Sequence, residues 1–307
     1  MMEIVTVVCA RDTVDIILQA HSIDTFISSE TTHHVVVEDD TMTLGEWENI
    51  LQPHYTRHKL NLIKANPRED MIFNHISPLG HRRVGYLKLE TVAKCATDEV
   101  LVLDGKNIFI RPTTLDEWAK LGISHGNGRT HNVSDIVYRE DKRGAGSVPL
   151  AWVKYVHSQF ANCEFPKRFP IPLETPYIMN SDIVRSIVAR PEYTRQLFLQ
   201  DTIMPFTELH LYFCFVPDSE LGEYVDKVCP AITRASKPDN QDWVEFIQKE
   251  IKRAEGMNSP THGLHRKPRV DMGPSARHIY KEWLLDRGLE NRFVKDYVYF
   301  DMPDKTW

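Results

Sequence analysis

The chain has 307 residues, with 37 Lys and Arg against 43 Asp and Glu and a formal net charge of −6 at pH 7. That length admits one large α/β domain or two small ones, and the acidic balance gives no global pull toward nucleic acid. No apolar run approaches a membrane span, the N-terminal MMEIVTVVCARD lacks the basic start of a signal peptide, and five scattered cysteines form no C-x-x-C pair. The expectation is a cytoplasmic protein with reduced, mostly buried thiols and neither a disulfide framework nor structural zinc.

The first third alternates strand and helix. Glu3 to Cys9 reads as a strand, and Thr13 to Phe26 has apolar residues at helical spacing (Val14, Ile17, Leu18, Ile23). His33 to Val37 reads as a second strand, Leu44 to Leu51 as a short helix and Leu60 to Ile63 as a third strand. Val84 to Ala96 is again helical in pattern, and Glu99 to Leu103 is a fourth strand. This alternation predicts an α/β fold with a mainly parallel sheet and helices on its faces. His33, His34, His54 and His58 are expected at the surface.

The later chain is less regular. His125–His131 and Arg139–Gly146 are glycine-rich and loop-like, and Phe165–Pro176 reads as a proline-rich connection. Helices are expected over Pro149–Phe160, Ser181–Ala189, Tyr193–Thr202, Glu208–Val216, Gln241–Arg253 and Pro274–Leu285, the last with Gly288 in its C-cap region. The change in character near residue 115 suggests a nucleotide-binding half, 1–115, and an acceptor-binding, helical half, 116–307, of one domain.

The segment ATDEVLVLDGKNIFIRP carries the most chemistry. An apolar strand ends in Asp104, followed by Gly105, Lys106 and Asn107. An acid at a strand tip, beside a glycine that admits close approach to the backbone, sits where open α/β sheets bind ligands. A simple Asp-Gly turn is the alternative reading.

This segment resembles the DxD turn of GT-A-fold glycosyltransferases, with Lys106 in place of the second acid. VTVVCARD resembles the family's first strand and HHVVVEDD its second. The stretch from His81 to Pro112, together with ETPYIMNSDIVRSIVAR and MPFTELHLYFCFV, resembles later blocks of a poorly characterised bacterial and viral group of such proteins. THGLHRKP is similar to the histidine-glycine-lysine-proline motif of glycogenin-like transferases. The resemblance implies a single GT-A-like domain that moves a sugar from a UDP-linked nucleotide sugar to an acceptor hydroxyl. It places Ala10, Arg11, Asp39, Arg82, Arg83, Lys88, Asp104, Gly105, Lys106, His262, His265, Arg266 and Lys267 around the donor.

Cleavage of a nucleotide sugar builds negative charge on the leaving diphosphate, so fixed positive charge is needed there. Either Asp104 with His262 or His265 binds Mn²⁺ or Mg²⁺ through hard ligands, or Lys106 replaces the ion, assisted by Arg82, Arg83, Arg266 or Lys267. An acceptor base is sought in Glu208, ahead of Asp182 and Asp135. Glu208 also reads as a helix-start acid and the His262–Lys267 stretch as a solvated basic loop. The acceptor is expected to be a polysaccharide precursor or other glycan, a protein, a small molecule or, from the viral side of the resemblance with weak support from basic clusters, a hydroxymethylated base in DNA. A nucleotidyltransferase and a non-catalytic nucleotide-binding protein are the rival classes.

Overall fold

The computed structural model describes residues 2–38, 41–65, 80–120, 127–132, 156–160, 168–194, 208–217, 232, 237 and 241–299. In chain order these form β1 (Glu3–Val8), α1 (Thr13–Phe26), β2 (Thr32–Val37), α2 (Leu44–Leu51), β3 (Lys59–Lys64), α3 (Gly80–Val92), β4 (Glu99–Asp104), β5 (Asn107–Phe109), α4 (Leu115–Lys120) and β6 (Asn127–Asn132). There follow β7 (Arg168–Glu174), β8 (Tyr177–Asn180), α5 (Ser181–Val188), α6 (Glu208–Phe213), α7 (Trp243–Gly256), β9 (Thr261–Gly263), α8 (Arg266–Asp271), α9 (Pro274–Asp286) and α10 (Asn291–Tyr299).

The central sheet has the order β3-β2-β1-β4-β8. Its first four strands are parallel, and β8 pairs antiparallel to β4 at the edge. Strands β1, β2 and β4 read as near-continuous apolar runs because both of their faces are covered. Val5, Val7, Val100 and Val102 pack on one side with Leu87, Leu89 and Leu211, while Ile4, Leu101 and Leu103 pack on the other with Leu18, Ile23 and Tyr280. A third cluster joins Val8, Val35 and Val37 to Trp47 and Leu51 of α2. That helix begins with a full capping box, Thr43 accepting from the Glu46 amide and Glu46 reaching back to Thr43.

The strand order reverses between β1 and β4. From β1 the chain moves through α1 to β2 on one side, and β4 then adds on the other side of β1, so a crevice opens above the carboxyl ends of these two strands. Asp104 sits at that point, paired in register with Val7.

Several expectations need correction. The first glycine-rich stretch is not all loop: β6 lies within it and pairs with β7, and β7 itself lies inside the stretch expected to be a proline-rich connection. Two short strands, β8 and β9, were not anticipated, and neither was α10. His33 and His34 are buried rather than superficial, as is His58. His33 closes an internal network, its Nε2 2.9 Å from Thr6 Oγ1 and its Nδ1 2.6 Å from Tyr55 OH. Burial pushes its pKa down to about 3, so it is neutral. The basic stretch around Arg266 is helix α8, not a loop. Across residue 115, β8 completes the sheet and β9 pairs with β5. Of the helix expected over Pro149–Phe160, residues 156–160 are described and 156–159 are helical; Arg139–Gly146 and most of Tyr193–Thr202 lie outside the described residues.

Gly288 follows α9 with φ +92°, the left-handed conformation that glycine adopts without strain after a helix end. Among the described residues no helix is long and apolar enough to cross a membrane.

Candidate active site

The turn that carries Asp104 is built from both of its sides. Gln19, buried on α1, donates through Nε2 to the backbone oxygens of Asp104 (2.8 Å) and Asn107 (2.7 Å). Its Oε1 accepts from Thr6 of β1 at 2.8 Å, so the turn is tied through one amide to the sheet interior. Asn107 folds its side chain back, its Oδ1 accepting from the Asp104 amide at 2.8 Å. A Cβ added at Gly105 would meet Val8, Asp12 and Asp15 at 3.7–3.8 Å, ordinary contact distances, so this glycine lies packed against β1 and the start of α1.

Three groups converge on the Asp104 carboxylate. Lys88 Nζ from α3 lies 2.7 Å from Oδ1, Thr175 Oγ1 donates to Oδ2 at 2.8 Å, and Lys106 closes an ion pair to Oδ2. Burial opposes the charged form of Asp104, but Lys106 and Lys88 outweigh it and hold the carboxyl well below the usual carboxylate range. Lys88 also lies 3.0 Å from Glu208 Oε1, and the Tyr177 hydroxyl donates to that same oxygen. The result is a chain of alternating charge, Lys106–Asp104–Lys88–Glu208, anchored by Tyr177 and Thr175.

The two lysines differ in access. The Lys88 side chain is 4% exposed and that of Lys106 17%. Burial disfavours the Lys88 ammonium, but Asp104 and Glu208 more than compensate and raise its pKa. Lys88 is therefore an internal cation between two carboxylates. Lys106 is the cation that faces outward. An ammonium has three N–H donors, and Asp104 takes one of them.

Close approach of Glu208 to α3 depends on Gly85. A Cβ at that position would lie 2.6 Å from Glu208 Oε2 and 3.2 Å from Glu208 Cβ, closer than side chains pack. Nearby, Arg83 donates to the Glu38 backbone oxygen at 2.7 Å and so ties α3 to the end of β2. The Glu38 amide in turn donates to Val8 O at 2.7 Å.

The structure thus brings together Asp104, Gly105, Lys106, Lys88 and Glu208, with Arg83 on the same helix as Lys88. After β1, Ala10 and Arg11 lie in a single 3-10 turn closed by Asp12, whose Oδ2 accepts from the Cys9 amide at 3.1 Å; Arg11 is exposed. The other expected donor residues stand elsewhere or outside the description. His262, on β9, is buried with Nδ1 2.8 Å from Tyr280 OH and its ring against Trp283. Burial pushes it down to about 3. His265 precedes α8, on which Lys267 is exposed. Asp182 is the exposed partner of Arg185 at 2.7 Å. Asp39 and Asp135, and the side chain of Arg82, lie outside the described residues.

These residues do not fit a divalent cation at Asp104. Both carboxylate oxygens already face an ammonium, Lys106 stands where a second acid would be needed, and His262 is turned into a nest of aromatic rings. Hard cations take several oxygen ligands, and both oxygens of this carboxylate are engaged. Glu208 is likewise more than a helix-start acid: its Oε1 is committed to Lys88 and Tyr177. Gln19, Asn107, Thr175, Tyr177 and Gly85 were not anticipated. Gln19 lies on the buried face of α1 between Asp15 and Ser22, polar residues one turn to either side.

No family model and no curated relative matches this chain. Among solved structures it is similar to the galactosyltransferase LgtC in complex with donor and acceptor sugar analogs, at 13% identity and TM-score 0.47, over 93% of this chain and 96% of that one. It is also similar to the glycosyltransferase GlyE of Streptococcus pneumoniae TIGR4, at 12% identity and TM-score 0.46, over 96% and 62% of the two chains. A third is mouse xyloside xylosyltransferase 1, at 10% identity and TM-score 0.42, over 87% and 98%.

Proposed function

We propose that this protein is a GT-A-like glycosyltransferase that moves a sugar from a nucleotide-sugar donor, uridine-linked, to an acceptor hydroxyl. The observation that supports it best is Lys106, a partly exposed cation on a fixed turn at the carboxyl end of β4, where the strand order reverses. Ligands of open α/β sheets bind at that place. The reaction breaks the bond between the anomeric carbon and a diphosphate oxygen, the acceptor oxygen forms the new bond to that carbon, and the bonding pair leaves with the diphosphate. Lys106 offers charge-assisted hydrogen bonds to the oxygen on which that charge grows.

The remaining residues have supporting roles in this reading. Asp104 orients Lys106, and Lys88 holds Asp104 in place from behind. Thr175 and Gln19 fix the turn, so the ammonium is positioned before the donor arrives. Glu208 anchors Lys88, which makes it a positioning residue rather than the group that takes the acceptor proton. A viral DNA acceptor rests on the viral side of the resemblance, and the donor half of the reaction is what the site supports.

The test is a screen of nucleotide sugars by melting temperature and hydrolysis. Stabilisation and slow hydrolysis of one donor support the transferase. Release of pyrophosphate from a nucleoside triphosphate would instead identify a nucleotidyltransferase, and binding without turnover a non-catalytic protein.

A further inference from the structure

At the opposite end of the sheet, three residues from separate segments converge. Glu3 begins β1, His34 lies on β2, and Cys95 precedes β4. One ligand atom from each, a carboxylate oxygen, an imidazole nitrogen and Sγ, all lie within 4.8 Å of one another, the one such group of three found among the described residues. The cluster is about 13 Å from Asp104, four strand residues along β1 and β4, so it belongs to no part of the candidate active site.

We propose that Glu3, His34 and Cys95 form a zinc site. The donor set of carboxylate, imidazole and thiolate is one that Zn²⁺ takes, with a water completing four-coordination. The soft sulfur disfavours Mg²⁺ and Ca²⁺.

The geometry is partly built. His34 Nε2 lies 3.0 Å from Glu3 Oε1. Two such ligands on one tetrahedral zinc stand about 3.3 Å apart, given metal–ligand distances of about 2.0 Å. Each is also held from behind, as metal ligands are. Glu3 Oε2 accepts from the Ala96 amide (2.7 Å), the Thr97 amide (3.1 Å) and Thr97 Oγ1 (3.2 Å), which leaves Oε1 toward the cluster. His34 Nδ1 lies 2.8 Å from the Asn61 amide nitrogen, which leaves Nε2 toward the same point. Cys95 Sγ donates to Thr91 O at 3.4 Å and needs to turn inward by about 1 Å to complete the set.

The protons balance simply. A zinc-bound His34 is neutral, ligating through Nε2 with its proton on Nδ1, and Asn61 turns its carbonyl oxygen to accept it. One proton leaves to solvent, from the Cys95 thiol. Zinc takes cysteine as the thiolate, so the metal displaces that proton on binding. Two anionic ligands then neutralise the cation. The bound ion would clasp β1, β2 and the turn before β4 at the end of the sheet remote from Asp104.

The test uses the full chain, loaded with one equivalent of ZnCl₂, dialysed, and assayed for metal by mass spectrometry and for melting temperature. The expected result is about one zinc per chain and a melting temperature that falls on adding EDTA. His34→Asn and Cys95→Ser are each expected to lose the metal and its stabilisation. Asn61→Ala is expected to weaken binding by about 10- to 100-fold. Circular dichroism in EDTA establishes that each variant folds, and any that does not is replaced by Glu3→Gln. Failure of the folded wild-type chain to retain zinc would overturn the site. So would equal retention by both ligand variants, which would place the ion elsewhere.

Discussion

Lys88 Nζ lies 2.7 Å from Asp104 Oδ1, joining the middle of α3 to the tip of β4. The same ammonium meets Glu208, and its side chain is almost fully enclosed. Lys88→Met keeps the volume and removes the charge, leaving two carboxylates without their shared partner. Breaking a buried pair in this way costs about 3–5 kcal/mol. Urea denaturation should show that loss, and a midpoint within experimental error of wild type would show that the ion chain contributes nothing to the fold.

Glu208→Gln separates a positioning role from a catalytic base. The amide still accepts from Lys88 and Tyr177 but has no charge to take up a proton. The expected result is a stability cost of about 1–3 kcal/mol, with turnover reduced by less than about tenfold, below the 10²–10⁴-fold typical of a lost general base. A larger drop in kcat at unchanged KM would return Glu208 to the role of base.

Gly85→Ala tests the close approach of Glu208 to α3. The new Cβ would meet Glu208 Oε2 at 2.6 Å, and Glu208 is tethered, so it cannot swing away freely. Overpacking of this kind costs about 1–3 kcal/mol. Combined with Glu208→Ala the 2.6 Å clash with Oε2 is gone and only the 3.2 Å approach to Cβ remains, so the two changes should be less than additive by about 0.5–3 kcal/mol. Strict additivity in a double-mutant cycle would remove the contact.

The ion chain also sets a pH dependence. Asp104 has its folded pKa depressed, so its contribution is full above its unfolded value of about 3.9 and drains as pH falls toward the folded value. Lys88 has its folded pKa raised, so its contribution is full below about 10.4 and is lost as pH rises through the folded value. The difference in stability between wild type and Asp104→Asn should therefore be flat from about pH 5 to 9 and shrink below about pH 4. A difference that grows on acidification would reverse the assignment.

Much of the sheet was legible because its strands are covered on both faces. The apolar runs in β1, β2 and β4 and the helical spacing in α1 marked those elements nearly to the residue. The same double coverage defeated the reading of His33 and His34, whose polar side chains suggested surface while β2 lies inside the sheet. Strands β8 and β9, four and three residues long, carry too little period-2 signal to announce themselves. Asp104 and Lys106 were legible as a strand-end turn. Their partners Thr175, Tyr177 and Gln19 were not, because these contacts link distant segments and leave no local pattern. Lys88 was expected beside the donor; its contacts to two carboxylates on distant segments left no local pattern.

Lys106, as the source of the positive charge that a metal would otherwise bring to a nucleotide-sugar donor, is probed best in EDTA. Hydrolysis of nucleotide sugars by the wild-type chain and by Lys106→Ala would be measured with EDTA and with Mn²⁺. The expected outcome is that a uridine-linked sugar is turned over in EDTA, that Mn²⁺ adds little, and that Lys106→Ala loses about 10²–10³-fold in kcat while remaining folded. Activity that vanishes in EDTA and returns with Mn²⁺, or no hydrolysis of any nucleotide sugar, would rule that role out.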